Sequence, residues 1–224
     1  MVSNPLNIKK YGNSEIKLVA IHGLGSASSA WDLVRDQFAA NYQFITLDLP
    51  GHGDASMRAN KSMNPVLLAD IVKEELAKFG INEFHLIGNS LGGWVALEIA
   101  AKYPESVLSL TGVAPAGLWL VPKTHRNGEL AISRYMAKAT YKIAYPIARL
   151  KFMRSIGFKL VSPQWEKFSI ETCAKAAIAM GSATGYFDLW DAFLGNRFDK
   201  ESSFVGIAPN PFEVKQILLI EKSL

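Results

Sequence analysis

Hydrophobic positions in the first half of the chain fall into two alternating textures. Short runs rich in β-branched and aromatic residues each stop against small or turn-forming residues. They are Ile16 to Ile21 before His22-Gly23, Gln43 to Leu47 before Asp48-Leu49-Pro50-Gly51, Phe84 to Ile87 before Gly88, and Val107 to Val113 before Ala114-Pro115. Between these strands, apolar residues recur at helical spacing. Ala30 to Asn41 predicts one helix, and Pro65 to Phe79 a second, carried by Val66, Leu68, Ala69, Val72 and Leu76 and closed by Gly80. A third opens near Ser90 and runs through Trp94, Val95, Leu97 and Ile99 to about Tyr103, where Pro104 stops it. This alternation predicts an α/β fold, a mostly parallel sheet flanked by helices.

After Pro115 the texture changes. Gly117 to about Ser203 is rich in Ala, Met, Tyr, Phe and Lys at helical spacing, which predicts an inserted helical cap. The expected organisation is a core over 1–116, the cap over 117–203 and a return to the core over 204–224, with a last strand at Gln216 to Ile220. Ile132 to Leu160 predicts a helix kinked at Pro146. Arg134, Lys138 and Lys142 would form its solvent face, and Tyr135, Ala139, Ile143 and Ile147 the apolar side roofing a pocket. The same pattern also describes a helix lying on an anionic membrane surface; the lid is the preferred reading and membrane contact the disfavoured one.

Composition narrows the class. The 224 residues are 49% hydrophobic and 20% charged, an ordinary globular balance that suits one domain with an insertion. No apolar run approaches the ~20 residues of a membrane span, and Met1 to Tyr11 lacks a secretory pattern, so a cytoplasmic protein is expected. Cys173 is the single cysteine, which excludes an intrachain disulfide and a cysteine-based metal cluster; a small buried residue is expected there. The net charge of +4 is concentrated, since Lys123 to Lys159 holds nine Lys or Arg against Glu129 alone. The rest of the chain is net acidic, so no nucleic-acid partner is expected.

Candidate chemistry centres on Gly88-Asn89-Ser90-Leu91-Gly92, a G-x-S-x-G run between a predicted strand and a predicted helix. A sharp turn there exposes the hydroxyl and needs small neighbours, extended here by Gly93. Alone, the run reads equally as a helix-capping serine. Two companions shift that balance: His22-Gly23-Leu24-Gly25 after the first strand and Asp48-Leu49-Pro50-Gly51-His52-Gly53 after the second.

With these three motifs, the stretch from Ile16 to Pro115 resembles the α/β-hydrolase superfamily, specifically its cap-bearing serine hydrolases. The resemblance implies Ser90 as nucleophile and the backbone N–H groups of Leu24 and Leu91 as the oxyanion hole. His22, Gly23, Gly88, Asn89 and Gly92 would support the elbow and loop, and no metal or cofactor is implied. Trp31 and Trp119 are candidates to line a substrate pocket, with Phe152 and Trp190 beside them, although core packing explains buried aromatics as well. His52 and His85 are expected to be structural. His125, the only histidine after Ser90, precedes the position where the family carries its base. For the acid, Glu221 lies near the family's usual place without the accompanying Gly or Asp, and Asp188, Asp191 and Asp199 read as solvated.

The expectation is therefore a serine hydrolase acting on a carboxylic ester or related small hydrophobic acyl substrate through a Ser90 acyl-enzyme. It would be impaired, because the triad acid and histidine are absent. The alternative is a non-catalytic binding protein that keeps the pocket. The sheet is expected to lack its last strands, leaving an edge at Val107 to Val113 open to self-association.

Overall fold

The structure is a computed structural model and describes residues 5–56, 63–125, 128–159, 162–199 and 217–220. Its frame is a six-stranded sheet of β1 (Lys9–Tyr11), β2 (Lys17–Ile21), β3 (Gln43–Leu47), β4 (Phe84–Asn89), β5 (Val107–Val113) and β6 (Ile217–Ile220). The spatial order is β1-β3-β2-β4-β5-β6; β1 runs antiparallel to β3 and every other pair is parallel. The predicted strands are all present within two residues at either end.

Both faces of this sheet are covered, which is why β2 and β3 are buried without alternation. On one face Val19, Ile21, Ile45, Leu47 and Leu86 pack with residues of α2 (Pro65–Lys78) and α3 (Leu91–Lys102), including Leu68, Val72, Leu76, Val95 and Ile99. On the other, Leu18, Ala20 and Phe44 pack with Trp31, and Phe38 stacks on Phe44 from α1 (Arg35–Ala39). The single helix expected over Ala30 to Asn41 is instead a 3-10 turn at Ser28–Trp31 followed by the short α1. Tertiary anchors override periodicity here: the Asp48 carboxylate accepts from Ser28 N at 2.6 Å, and Trp31 turns down onto Phe44.

β1 carried no sequence signal, because Lys9-Lys10-Tyr11 has no apolar alternation and is a strand only through its pairing with β3. At the opposite end β6 pairs in parallel with β5, Leu110 opposite Ile217 to Val113 opposite Ile220. The open edge expected at Val107 to Val113 is therefore paired.

Residues between β5 and β6 contribute α4 (Gly128–Thr140), α5 (Ala144–Ala148), α6 (Lys151–Phe158), α7 (Ile170–Ser182) and α8 (Tyr186–Asp191). This helical insertion sits on the core through Leu189, Phe193 and Phe198, which join the apolar cluster of α2 and α3. Backbone bonds fasten it: Gly185 N donates to Gly51 O at 3.2 Å and Phe198 N to Gly117 O at 2.9 Å. Cys173 is buried as expected, packed with Ala144, Ala148 and Ala174.

The kinked helix expected over Ile132 to Leu160 is broken into three, with a 3-10 turn at Tyr141–Ile143 ahead of Pro146. The proline ring conflicts with the carbonyl four residues back, so the helix ends before it and restarts with Pro146 in its first turn. The faces expected for α4 are met only in part, since Lys138 and Lys142 are exposed but Arg134 is not. Arg134 is buried and donates to Gly181 O at 3.0 Å and Ala183 O at 2.7 Å, capping the carbonyl end of α7, while Tyr135, Ala139 and Ile143 are exposed.

Helix α2 shows the local code at both ends. Asn64 accepts from Leu67 N at 2.9 Å ahead of Pro65. Gly80, at φ 72°, donates to Ala77 O at 2.9 Å while Ile81 N donates to Leu76 O at 3.0 Å, a Schellman closure. A Cβ at Gly80 meets open space, so only backbone strain opposes a side chain there. Gly80→Ala is expected to lower stability in urea denaturation by about 1 kcal/mol, with Gly80→Asn recovering part of the loss.

Candidate active site

Strand β4 passes directly into Ser90, and α3 begins at the next residue. Ser90 has φ 51° and ψ −113°, a region L-residues avoid unless their surroundings over-determine it. Those surroundings are visible. Ser90 N donates to Val113 O at 3.1 Å, and Ser90 O accepts from Trp94 N at 3.1 Å and Ala116 N at 2.8 Å. The end of β5 holds the turn from one side and the first turn of α3 from the other.

The glycines of the motif are needed because backbone passes backbone without room for a side chain. A Cβ on Gly92 would strike the carbonyls of Ile21 and His22 at the end of β2, and one on Gly88 would strike the backbone of Gly92. On Gly93 it would lie 2.6 Å from the Pro115 Cβ. A Cβ on Gly23 would sit 3.0 Å from Asn89 Oδ1 and 3.3 Å from Ser90 Cβ, so the loop after β2 lies against the serine. Asn89 secures its own side of the turn by donating from Nδ2 to Val113 O at 3.1 Å.

The loop after β2 is held by groups buried behind it. His22 accepts from Leu49 N at Nε2, 3.0 Å, which places its proton on Nδ1 for donation to Gly23 O at 2.8 Å. Burial lowers the pKa of this imidazole, so it stays neutral with both nitrogens committed. His52 faces it with ring centroids 5.4 Å apart; burial, and then the neighbouring His22 imidazole, push its pKa down to about 3. Its Nδ1 donates to Pro50 O at 3.2 Å.

Asp48 ties the same loops together. One oxygen accepts from Ser28 N at 2.6 Å, and the other from Asn7 Nδ2 at 2.7 Å and Asp54 N at 3.0 Å. Burial alone would raise its pKa, but these bonds outweigh it and hold the carboxyl below the usual range. A Cβ on Gly53, at φ 52°, would run into this carboxylate, which explains the last glycine of the second loop.

The insertion roofs the loop. A Cβ on Gly25 would lie 2.6 Å from Met180 Sδ and 2.7 Å from Tyr186 Cε2, and Leu24 packs against Ala183, Tyr186 and Trp190. Burial pushes the Tyr186 hydroxyl up to about 12, so it remains protonated. Sequence reasoning named Trp190 but missed Met180 and Tyr186, whose helices carry no motif.

A family profile described as the alpha/beta hydrolase fold matches residues 17–169. The chain belongs to that family. A pimeloyl-[acyl-carrier protein] methyl ester esterase of Aeromonas salmonicida is 34% identical over 109 residues, 49% of this chain and 41% of its own length. A 2-hydroxy-6-oxononadienedioate/2-hydroxy-6-oxononatrienedioate hydrolase of a Pseudomonas species is 32% identical over 152 residues, 60% of this chain and 53% of its own. The acetyltransferase component of an acetoin cleaving system of Cupriavidus necator is 37% identical over 109 residues, 49% of this chain and 29% of its own. The α/β-hydrolase chain thus spans about a quarter to a half of the length of these relatives. Among solved structures, the deformylase Nfo of Pseudomonas putida superposes with a TM-score of 0.69 at 18% identity, covering 95% of this chain and 75% of Nfo. The enol-lactonase of Burkholderia xenovorans gives 0.65 at 15%, covering 96% and 77%.

Within this α/β-hydrolase the remaining candidates fall elsewhere. Trp31 is occupied in the core beneath the sheet, edge-on to Phe44. Trp119 packs edge-on to Trp94 at 5.6 Å and against Phe193, donating to Asn196 O at 3.0 Å, where core and insertion meet. Phe152 is exposed. His85 bonds Ser109 Oγ at 2.7 Å, His125 is exposed, and so are Asp188, Asp191 and Asp199. Glu221 lies outside the described residues. A cavity of about 340 Å³ between Ser26, Ser29 and Asp32 on one side and Ser169, Thr172 and Lys175 on the other does not include Ser90, Leu24 or Leu91.

Two outcomes follow from this packing. Gly92→Ala sets a methyl against two backbone carbonyls and is expected to cost about 3 kcal/mol or more, read as a loss of soluble protein or a lowered urea midpoint. The second concerns pH. His22 and His52 are neutral when folded and take up a proton near 6.5 when unfolded, so their contribution is complete above pH 6.5. For His52 it is lost as pH falls from there toward about 3. Between about pH 5.5 and 4 His52 should add a slope approaching ~1.4 kcal/mol per pH unit to stability, His22 should act in the same direction, and His52→Gln should flatten the slope.

Proposed function

We propose that this chain is a serine hydrolase for a carboxylic ester or related small acyl compound, acting through an acyl-enzyme on Ser90. The observation that carries the reading is the strained backbone of Ser90, φ 51° and ψ −113°, packed against Gly23 of the neighbouring loop. In the proposed chemistry Ser90 Oγ adds to the substrate carbonyl and the tetrahedral oxyanion is received by the N–H groups of Leu24 and Leu91. Loss of the alcohol leaves an acyl-serine, which water then hydrolyses. For neither amide is a backbone acceptor found among the described residues, so both are available for this role. Met180, Tyr186 and Trp190, acting as a cap over Leu24, suit a small apolar acyl group. The methyl ester esterase and hydrolase names among the relatives support the hydrolase class.

Within these 224 residues no base stands beside Ser90, so the proposed chemistry is slow in this chain by itself. All four histidines lie among the described residues, and none hydrogen-bonds Ser90. His22 has no free nitrogen, and His52 is buried in the second loop. Without a base the hydroxyl is a weak nucleophile, and oxyanion and binding effects alone leave roughly 10³ to 10⁴ over water. The same observation favours a second reading, a binding protein that keeps the roofed loop and performs no hydrolysis.

A fluorophosphonate probe with mass-spectrometric readout decides between them. Slow labelling confined to Ser90 and abolished in Ser90→Ala, with weak p-nitrophenyl ester turnover, is the expected result. Turnover at the rate of an intact esterase would refute the slow chemistry, and complete inertness to the probe would leave only the binding protein.

A further inference from the structure

The helical insertion carries its large apolar side chains outward. On α4, Ile132, Tyr135 and Met136 are 61%, 60% and 45% exposed, and Ile143 just beyond is 55% exposed. Further along, Leu150 and Phe152 are 58% and 74% exposed. The inward positions are held by Arg134 and by small residues, Ala144 and Ala148 against Cys173 and Ala174 of α7. Helices α4 and α5 both pack on α7, and α6 packs on α5, so the exposed apolar side chains lie on helices that neighbour one another. So many large side chains on one short segment exceed the scattered exposure usual on a soluble surface.

Charge says what covers this face. From Ala131 to Lys159 the chain contains seven Lys or Arg and no Asp or Glu. Arg134 and Arg154 turn inward to backbone carbonyls, whereas Lys138, Lys142, Arg149 and Lys159 are exposed. A second copy of this chain would bring the same positive charge to a shared interface and be repelled. An anionic bilayer accepts both features, since aromatic and aliphatic side chains enter the headgroup region while lysines remain at the phosphates. Among the described residues no helix is long and apolar enough to cross a membrane, so the contact is peripheral.

We propose that the outer face of α4, α5 and α6 docks on anionic lipid bilayers. The docking goes beyond the chemistry at Ser90 and does not depend on it. Ile132, Ile143 and Phe152 form the wedge, and Lys138, Lys142, Arg149 and Lys159 form the charged rim.

The test is co-sedimentation of the whole chain with phosphatidylcholine vesicles, with and without phosphatidylserine. Binding is expected only with phosphatidylserine, and salt at about 0.5 M should release it. Lys138→Glu with Lys142→Glu should weaken binding at least ~tenfold, and Ile132→Ser with Phe152→Ser should do so at low salt. These positions are exposed, so circular dichroism melts should match the parent. Ser90→Ala should bind as the parent does, which separates this outcome from that of the probe experiment. Absence of pelleting, or pelleting indifferent to phosphatidylserine and salt, overturns the proposal. So does self-association in sedimentation velocity that Phe152→Ser abolishes while vesicles bind nothing.

Discussion

The structure around the site depends on one constraint: the first turn of α3 is pressed against the end of β2 with no side chain between them. Gly92 makes that approach, meeting the carbonyls of Ile21 and His22, and Gly88 and Gly93 clear the flanks. With the helix start fixed this close to the sheet, the residue joining β4 to α3 cannot relax into an ordinary conformation. Ser90 takes the strain at φ 51°. A strained serine is thus the product of close packing by its neighbours, and mobility at those glycines would release it.

A second layer keeps the opposing loop in place. Asp48, His22 and His52 are all buried, and their bonds run mostly to backbone groups of the loops after β2 and β3. Burying a carboxylate beside two imidazoles costs desolvation, which is offset for Asp48 by three hydrogen bonds and avoided for the imidazoles by neutrality. These histidines therefore act on the shape of the loop. Their hydrogen-bond partners are backbone groups of these loops.

The insertion follows a different rule. Its contact with the core is apolar and aromatic, through Tyr186, Trp190, Leu189 and Phe193, whereas its outer helices put alanines and one arginine inside and bulky residues outside. Small inward residues let α5 come close to α7, and the guanidinium of Arg134 satisfies carbonyls at the end of α7 that would otherwise be buried unpaired.

The amino-acid sequence by itself determined the strands β2 to β5, helices α2 and α3, and the position of Ser90 between them. Each is a local matter: strand runs buried on both faces, helical spacing, the caps at Asn64 and Gly80, and glycines at a turn leave their mark within a few residues. The β1 pairing, the broken helix after Ser28, the roof of Met180 and Tyr186 over Gly25, and the direction in which α4 faces were decided by tertiary structure alone. A helical pattern shows that two faces differ without saying which one meets the core, because an arginine can be held inside when carbonyls partner its guanidinium. Only the placement of α7 supplies those partners and so settles the orientation.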